Sequence, residues 1–160
     1  MLDRGFREFY NNHANKVYTF ILWLTQNRSS ADDILQEVFV KAWKSEKIPS
    51  EQGEQLPWLY RVARNAAIDH YRKTRRFTDL KRDYTLEQKS CCGLPTEDKG
   101  IWAWLEKLAY TEKSILYLHL RDGYSYREIG EIMGMTENNV RVKAFRALKK
   151  LKENSSKKAL

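Results

Sequence analysis

The chain has 160 residues, of which 31% are charged, 42% hydrophobic and 12% aromatic, a composition that folds and excludes the low-hydrophobicity signature of disorder. Its formal net charge is +8, a balance that favours a polyanionic partner. No apolar run approaches the roughly 18 residues that a membrane-spanning helix needs, and the Met1 to Tyr10 start, with acids and no apolar core, does not read as a signal peptide.

In chain order, Phe6, Phe9, Tyr10, Val17, Tyr18, Phe20, Ile21 and Leu24 recur at spacings of three and four, which predicts one or two amphipathic helices. Asn27 to Ser30 closes them. Ser30 is then expected to cap a second helix, with Asp32 and Asp33 in its first turn where the helix dipole favours acids, running to about Trp43. Ser45 to Leu56 holds Pro49 and Gly53 and few apolar residues, so it is expected to be a loop. Pro57 suits a first helical position, and a helix is predicted from there to about Lys73.

From Thr74 to Gly100 the periodicity is lost and SCCGLPTEDKG supplies turn residues, so a flexible linker is expected over residues 77–100. Cys91 and Cys92 are adjacent and are the only cysteines; they suit neither a mutual disulfide nor a zinc site, and a reducing cytoplasm fits. Helices are predicted over Ile101 to Ala109, Thr111 to Arg121, Ser125 to Met133 and Glu137 to Lys152, with Thr111 and Ser114 at one start, Gly123 as a stop and Thr136 as a cap. No alternating strand pattern occurs. The expected fold is all-α: two small helical domains of about four helices each, residues 1–76 and 101–160, joined by the linker.

Charge is placed unevenly along this plan. Residues 1–76 carry 13 basic side chains against nine acidic, residues 77–100 four against five, and residues 101–160 twelve against seven. Pro57 to Arg76 has six basic residues and one acid, and Glu137 to Leu160 has eight and two. Two separate cationic stripes suit one polyanion touched at two places, most simply nucleic acid.

In the C-terminal domain, YSYREIGEIMGMTENNVRVKAFRALKKLK has helix-turn-helix spacing. Gly130 falls where two crossing helices need a small residue, and Gly134 where the turn needs a positive φ. Stepping 100° per residue, Val140, Ala144, Ala147, Leu148 and Leu151 share an arc of about 100° and form the expected core stripe. Arg141, Val142, Phe145 and Arg146 lie away from it. Two apolar groups among cations serve a solvated face poorly but suit thymine methyls and sugars, so these four are the expected groove-facing set, with Lys143, Lys149 and Lys150 on phosphates.

On the helix after Pro57, Trp58, Arg61, Asn65, Asp69 and Arg72 fall within about 80° of one another, and Tyr60, Arg64 and Tyr71 form a neighbouring strip. Aromatic planes stack unpaired bases and arginine binds phosphates, so this face suits single-stranded or opened DNA, with Asn65 as a reader of a base edge. On the second helix Ile34, Leu35, Val38, Phe39 and Ala42 take the core side, and Asp33, Gln36, Glu37 and Val40 the other. That acidic, partly apolar face suits a protein partner. A nuclease metal site would need further carboxylates at suitable spacing. His13, His70 and His119 lie in different elements without nucleophile or metal-ligand spacing, so no catalytic residue, metal or cofactor is expected. A stand-alone regulator binding duplex operators through the helix-turn-helix is the alternative from another class.

DDILQEVFVKAW, followed by PWLYRVARNAAIDHYRK and then the helix-turn-helix, resembles the extracytoplasmic-function sigma factors of bacterial RNA polymerase over about 130 residues. The resemblance implies a second conserved region that binds the polymerase clamp and melts the −10 element, a fourth region that reads the −35 element as duplex, and a linker between them that threads the polymerase. It implies clamp contacts for Asp33, Gln36 and Glu37, contacts to the −10 non-template strand for Trp58, Tyr60, Arg61, Asn65 and Asp69, and −35 reading for Arg141, Val142, Phe145 and Arg146. It assigns capture of a flipped base to the Ser45 to Leu56 loop, with no particular residue. The implied partners are core RNA polymerase, promoter DNA and an anti-sigma factor.

Overall fold

The computed structural model describes residues 3–80 and 103–158, without the side chains of 76–80 and 154–158. The chain divides into two compact units, Met1–Cys91 and Cys92–Leu160. Among the described residues there are helices and turns and no strand, as the periodicity predicts. The expected linker and both cysteines lie largely or wholly outside the described residues.

The first unit is a three-helix packing of α1 (Arg4–Thr25), α2 (Arg28–Lys44) and α3 (Gln52–Leu80), one helix fewer than expected among the described residues. Of the one or two helices expected in the first 25 residues, there is one, the continuous α1. It buries Phe9, Val17, Phe20, Ile21 and Leu24. It stops at Gln26, which takes the left-handed conformation (φ 55°) and returns its N–H to the Leu22 carbonyl. The next residue, Asn27, and not Ser30, caps α2: its side chain accepts the Ser30 N–H at 3.1 Å. Ser30 has the right chemistry, but α2 begins before it.

α3 begins five residues before Pro57 and runs past Lys73 to Leu80, so the loop is shorter and the helix longer than predicted. Pro57 leaves the Gly53 carbonyl without its intrahelical donor, a small cost because Gly53 is exposed to water. The three helices meet over Ala31, Ile34, Val38, Phe39 and Ala42 of α2 and Leu59, Tyr60, Ala63, Ala66 and Ala67 of α3. The alanines of α3 let the helix axes approach closely. Phe39 is packed edge-on by Phe9 and Tyr10, at 6.1 and 4.7 Å between centroids.

In the second unit the predicted Ile101 to Ala109 helix shrinks to a helical turn at residues 103–105 among the described residues. Leu105 and Leu108 there are buried. Then come α4 (Tyr110–Leu116), a π-helical turn (Tyr117–Arg121), α5 (Tyr126–Met133) and α6 (Glu137–Lys158). α4 starts one residue before Thr111, with the Ala109 N–H donating to Glu112 Oε2 at 3.3 Å. In the π-turn the Asp122 N–H reaches the Tyr117 carbonyl, and Gly123 (φ 75°) ends it. Ile115, Leu116, Leu118, Ile129, Val140, Ala144 and Ala147 are buried.

Candidate nucleic-acid interface

The helix-turn-helix is built by local chemistry at each corner. Ser125 Oγ accepts the Glu128 N–H at 3.1 Å while Glu128 Oε2 accepts the Ser125 N–H at 3.0 Å, a reciprocal capping box that starts α5. Gly134 ends α5 in the left-handed conformation (φ 68°). Thr136 Oγ1 accepts the Asn139 N–H at 3.2 Å and starts α6. A Cβ placed on Gly130 would lie 2.6 Å from the Met135 carbonyl oxygen, so the turn folds back onto that residue because it has no side chain. The Met135 N–H closes the corner on the Gly130 carbonyl at 2.8 Å.

On α6 the predicted groove-facing residues Arg141, Val142, Phe145 and Arg146 are all exposed. Phe145 is 69% exposed, a large apolar surface that folding leaves in water. Of the expected core stripe, Val140, Ala144 and Ala147 are buried, but Leu148 is 41% exposed and Leu151 half-buried. Leu148 lies at the edge of the predicted arc, roughly 80° from Val140 at about 100° per residue. Lys143 is half-buried, and Lys149 and Lys150 are exposed. Lys150 is already engaged: its Nζ donates to both Glu112 oxygens, at 3.0 and 3.2 Å. Glu112 therefore caps α4 and ties it to α6, and Lys150 is less free for a phosphate than the sequence suggests.

On α3, Arg61, Asn65, Asp69 and Arg72 are exposed along one face, with Trp58 half-buried beside them. Arg64 is half-buried, and burial first and the Arg61 charge second lower its pKa from the ordinary arginine value. Tyr60 departs from the prediction. It is only 1% exposed and packs on Phe20 at 4.8 Å between centroids. The helical projection sets Tyr60 beside Arg64, but α1 covers that edge of α3, which angles along one helix cannot reveal. The preceding loop is tied down at its end, where His13 Nε2 and Gln55 Oε1 are hydrogen-bonded at 3.1 Å and Gln55 Nε2 donates to the Pro49 carbonyl at 3.1 Å.

On α2, Asp33, Gln36 and Val40 are exposed, and Glu37 is half-buried in an ion pair with Lys41 at 2.9 Å. The structure adds Trp43, 55% exposed. It lies within about 60° of Gln36 and Val40 on the helical projection, so the same stepping reaches it at the end of the helix already predicted. Among the described residues no group of His, Cys, Asp or Glu could hold a metal ion. Also among them, no helix is long and apolar enough to cross a membrane.

The sequence matches the family model described as Sigma-70 region 2 over residues 9–77 and that described as Sigma-70, region 4 over residues 100–151. It is 30% identical over 151 residues to the ECF RNA polymerase sigma factor SigM of Bacillus subtilis, covering 91% of each chain. The chain belongs to the ECF RNA polymerase sigma factors. This sigma factor is also 23% identical to SigX of Bacillus subtilis, over 96% of the chain and 84% of the relative. Its fold is similar to that of the sigma factor RpoE from Bartonella quintana, solved in complex with the anti-sigma factor NepR: TM-score 0.77, 19% identity, 96% of this chain and 98% of that one. A second similar structure is CnrH in complex with the cytosolic domain of CnrY, with TM-score 0.65, 22% identity, and coverage of 94% and 86%. As a sigma factor the chain directs promoter-specific initiation of transcription, and a stand-alone operator-binding regulator is not favoured.

Proposed function

We propose that the work of this sigma factor is divided along the chain. Residues 1–76 bind core polymerase through α2 and open the −10 element along α3, residues 77–100 connect, and residues 101–160 read the −35 duplex with α6. The observation that carries this division is that each unit exposes its own set of side chains on one helix face, polar on α3 and mixed polar and apolar on α6. On α3 these are Arg61, Asn65, Asp69 and Arg72, and on α6 Arg141, Val142, Phe145 and Arg146. The first set, flanked by Trp58, offers hydrogen bonds and an aromatic edge to unpaired bases. The second offers cations and apolar contacts to a major groove. Asp33, Gln36, Glu37 and Val40, with Trp43, form the polymerase-binding face; an exposed tryptophan beside a valine is the kind of apolar surface that a protein partner covers. An anti-sigma factor is a further partner, supported by the similarity to RpoE, which was solved with NepR.

Chemistry on the nucleotides belongs to the polymerase in this reading, and the chain acts by binding alone, in the cytoplasm. The test adds the purified chain to core polymerase and sequences the transcripts. Promoter-dependent transcripts are expected, and failure to associate with core enzyme would sink the assignment. Within it, Asn65→Ala weakens strand opening by permanganate footprinting while duplex binding upstream persists, and Arg146→Ala does the reverse. Equal loss of both activities in each variant would refute the division of labour.

A further inference from the structure

Arg141 is the one member of the groove-facing set whose guanidinium is held on two sides by described contacts. Its Nη2 donates to Glu137 Oε1 at 2.8 Å one helical turn earlier, and its Cζ lies 6.0 Å from the centre of the Tyr126 ring, the outer edge of the range for cation–π attraction. Tyr126 opens α5 and Glu137 opens α6, so the guanidinium spans the two helices of the motif. The Tyr126 ring is itself braced. His119, in the π-turn, stacks on it with centroids 4.3 Å apart and planes 23° from parallel. His119 Nδ1 lies 2.9 Å from the Tyr124 carbonyl oxygen; since that oxygen can only accept, Nδ1 carries the proton. His119 belongs to the π-turn itself, so that turn carries the ring that stacks on Tyr126.

We propose that Tyr126 and Glu137 are positioning residues for duplex reading, holding the Arg141 guanidinium in one orientation before DNA arrives, with His119 bracing the tyrosine. This rests on the reading of α6 as the −35 helix. An unrestrained arginine loses much rotamer freedom when fixed on a base edge, and restraint in the free protein lowers that cost. Glu137 occupies one of five guanidinium N–H groups and leaves enough for a bidentate contact to a base. Its carboxylate also repels phosphate oxygens, so the pair suits a base edge and disfavours a phosphate contact at this position. Glu137 in the first turn of α6 is favoured there by the helix dipole.

The test uses the full chain with core polymerase on a promoter library whose upstream duplex element is randomised, with transcripts sequenced. Arg141→Ala is expected to erase a preference at one base pair. Tyr126→Leu and Glu137→Ala should each lower that same preference roughly two- to fivefold, the scale of weak exposed contacts, with the other positions unchanged. Tyr126→Phe keeps the ring and should keep the preference, and Tyr126→Leu should add nothing once Arg141 is alanine. The positioning role is overturned if both substitutions leave the preference intact, lower use of every sequence alike, or still act in the Arg141→Ala background. If Arg141→Ala itself changes no preference, the fault lies in the assignment of Arg141 as a reader, and the positioning role falls with it. Glu137→Ala, on an exposed surface, keeps the test decisive should Tyr126→Leu lose its fold in a thermal melt.

Discussion

Tyr60 lies against Phe20 at 59° between ring planes, joining α3 to α1 inside the first unit. Its neighbour Arg61 faces solvent. Tyr60→Ala is therefore expected to destabilise the unit by about 3–5 kcal/mol, the usual cost of emptying an aromatic site, seen as a lower denaturation midpoint. Arg61→Ala should leave the midpoint within about 0.5 kcal/mol and reduce −10 strand opening. A stable Tyr60→Ala protein defective only in opening would restore the tyrosine to the DNA face.

Gly130 meets the Met135 carbonyl so closely that any side chain must push the turn apart. Gly130→Ala should cost about 1–3 kcal/mol, as overpacking of a tight contact does, and weaken duplex binding in parallel. Ser125→Ala removes one half of the capping box and should cost about 0.5–2 kcal/mol. Chemical denaturation of the two variants ranks them. A Gly130→Ala protein as stable as the parent would show that the turn can relax.

Lys113 is buried, only 4% exposed, beside the Tyr110 ring at 5.2 Å. Burial lowers its pKa from 10.5 to about 8, with Glu106 opposing the shift. Between pH 8 and about 10 the unfolded chain therefore binds more protons at this site than the folded one, and stability rises with pH. Below pH 8 the amine is charged in both states and the burial cost is fully present. The gain is at most roughly 3 kcal/mol. Above pH 10 Tyr117 acts the other way, because burial pushes its pKa up to about 12 and stability falls as the unfolded phenol ionises. Lys113→Met should raise stability at pH 7 and flatten the rise between pH 8 and 10, measured by urea denaturation across that range.

Lys149 and Lys150 are neighbours in sequence, but only Lys150 is paired with Glu112. Lys149→Ala is expected to reduce the slope of log affinity against log salt by about 0.9, the value for one phosphate contact on duplex DNA. Lys150→Ala should reduce it by less and cost no more than about 1 kcal/mol of stability. Equal slope changes would mean that DNA outcompetes the Glu112 pair.

The local rules of the chain were legible where one helix or one turn decides the outcome. Gly130, Gly134 and Thr136 do what their chemistry requires within a few residues, and Val142 and Phe145 are exposed because Val140, Ala144 and Ala147 take the buried side of the same helix. Helix ends were less legible: Asn27 and Ser30 are both good caps, and which one serves depends on where α1 releases the chain at Gln26.

What the sequence determined by itself is the all-helical composition, the helix-turn-helix corner and the separation of basic from acidic faces, because these follow from periodicity and from hydrogen bonds between residues three or four apart. What only the tertiary structure decided is which exposed-looking positions another helix covers and which charges are already matched. Tyr60 is buried because α1 lies across its edge of α3, Leu148 stays exposed although it shares an arc with the buried Val140, Ala144 and Ala147, and Lys150 is engaged because Glu112, 38 residues earlier, lies beside it. A helical angle describes one helix, and burial is a property of two.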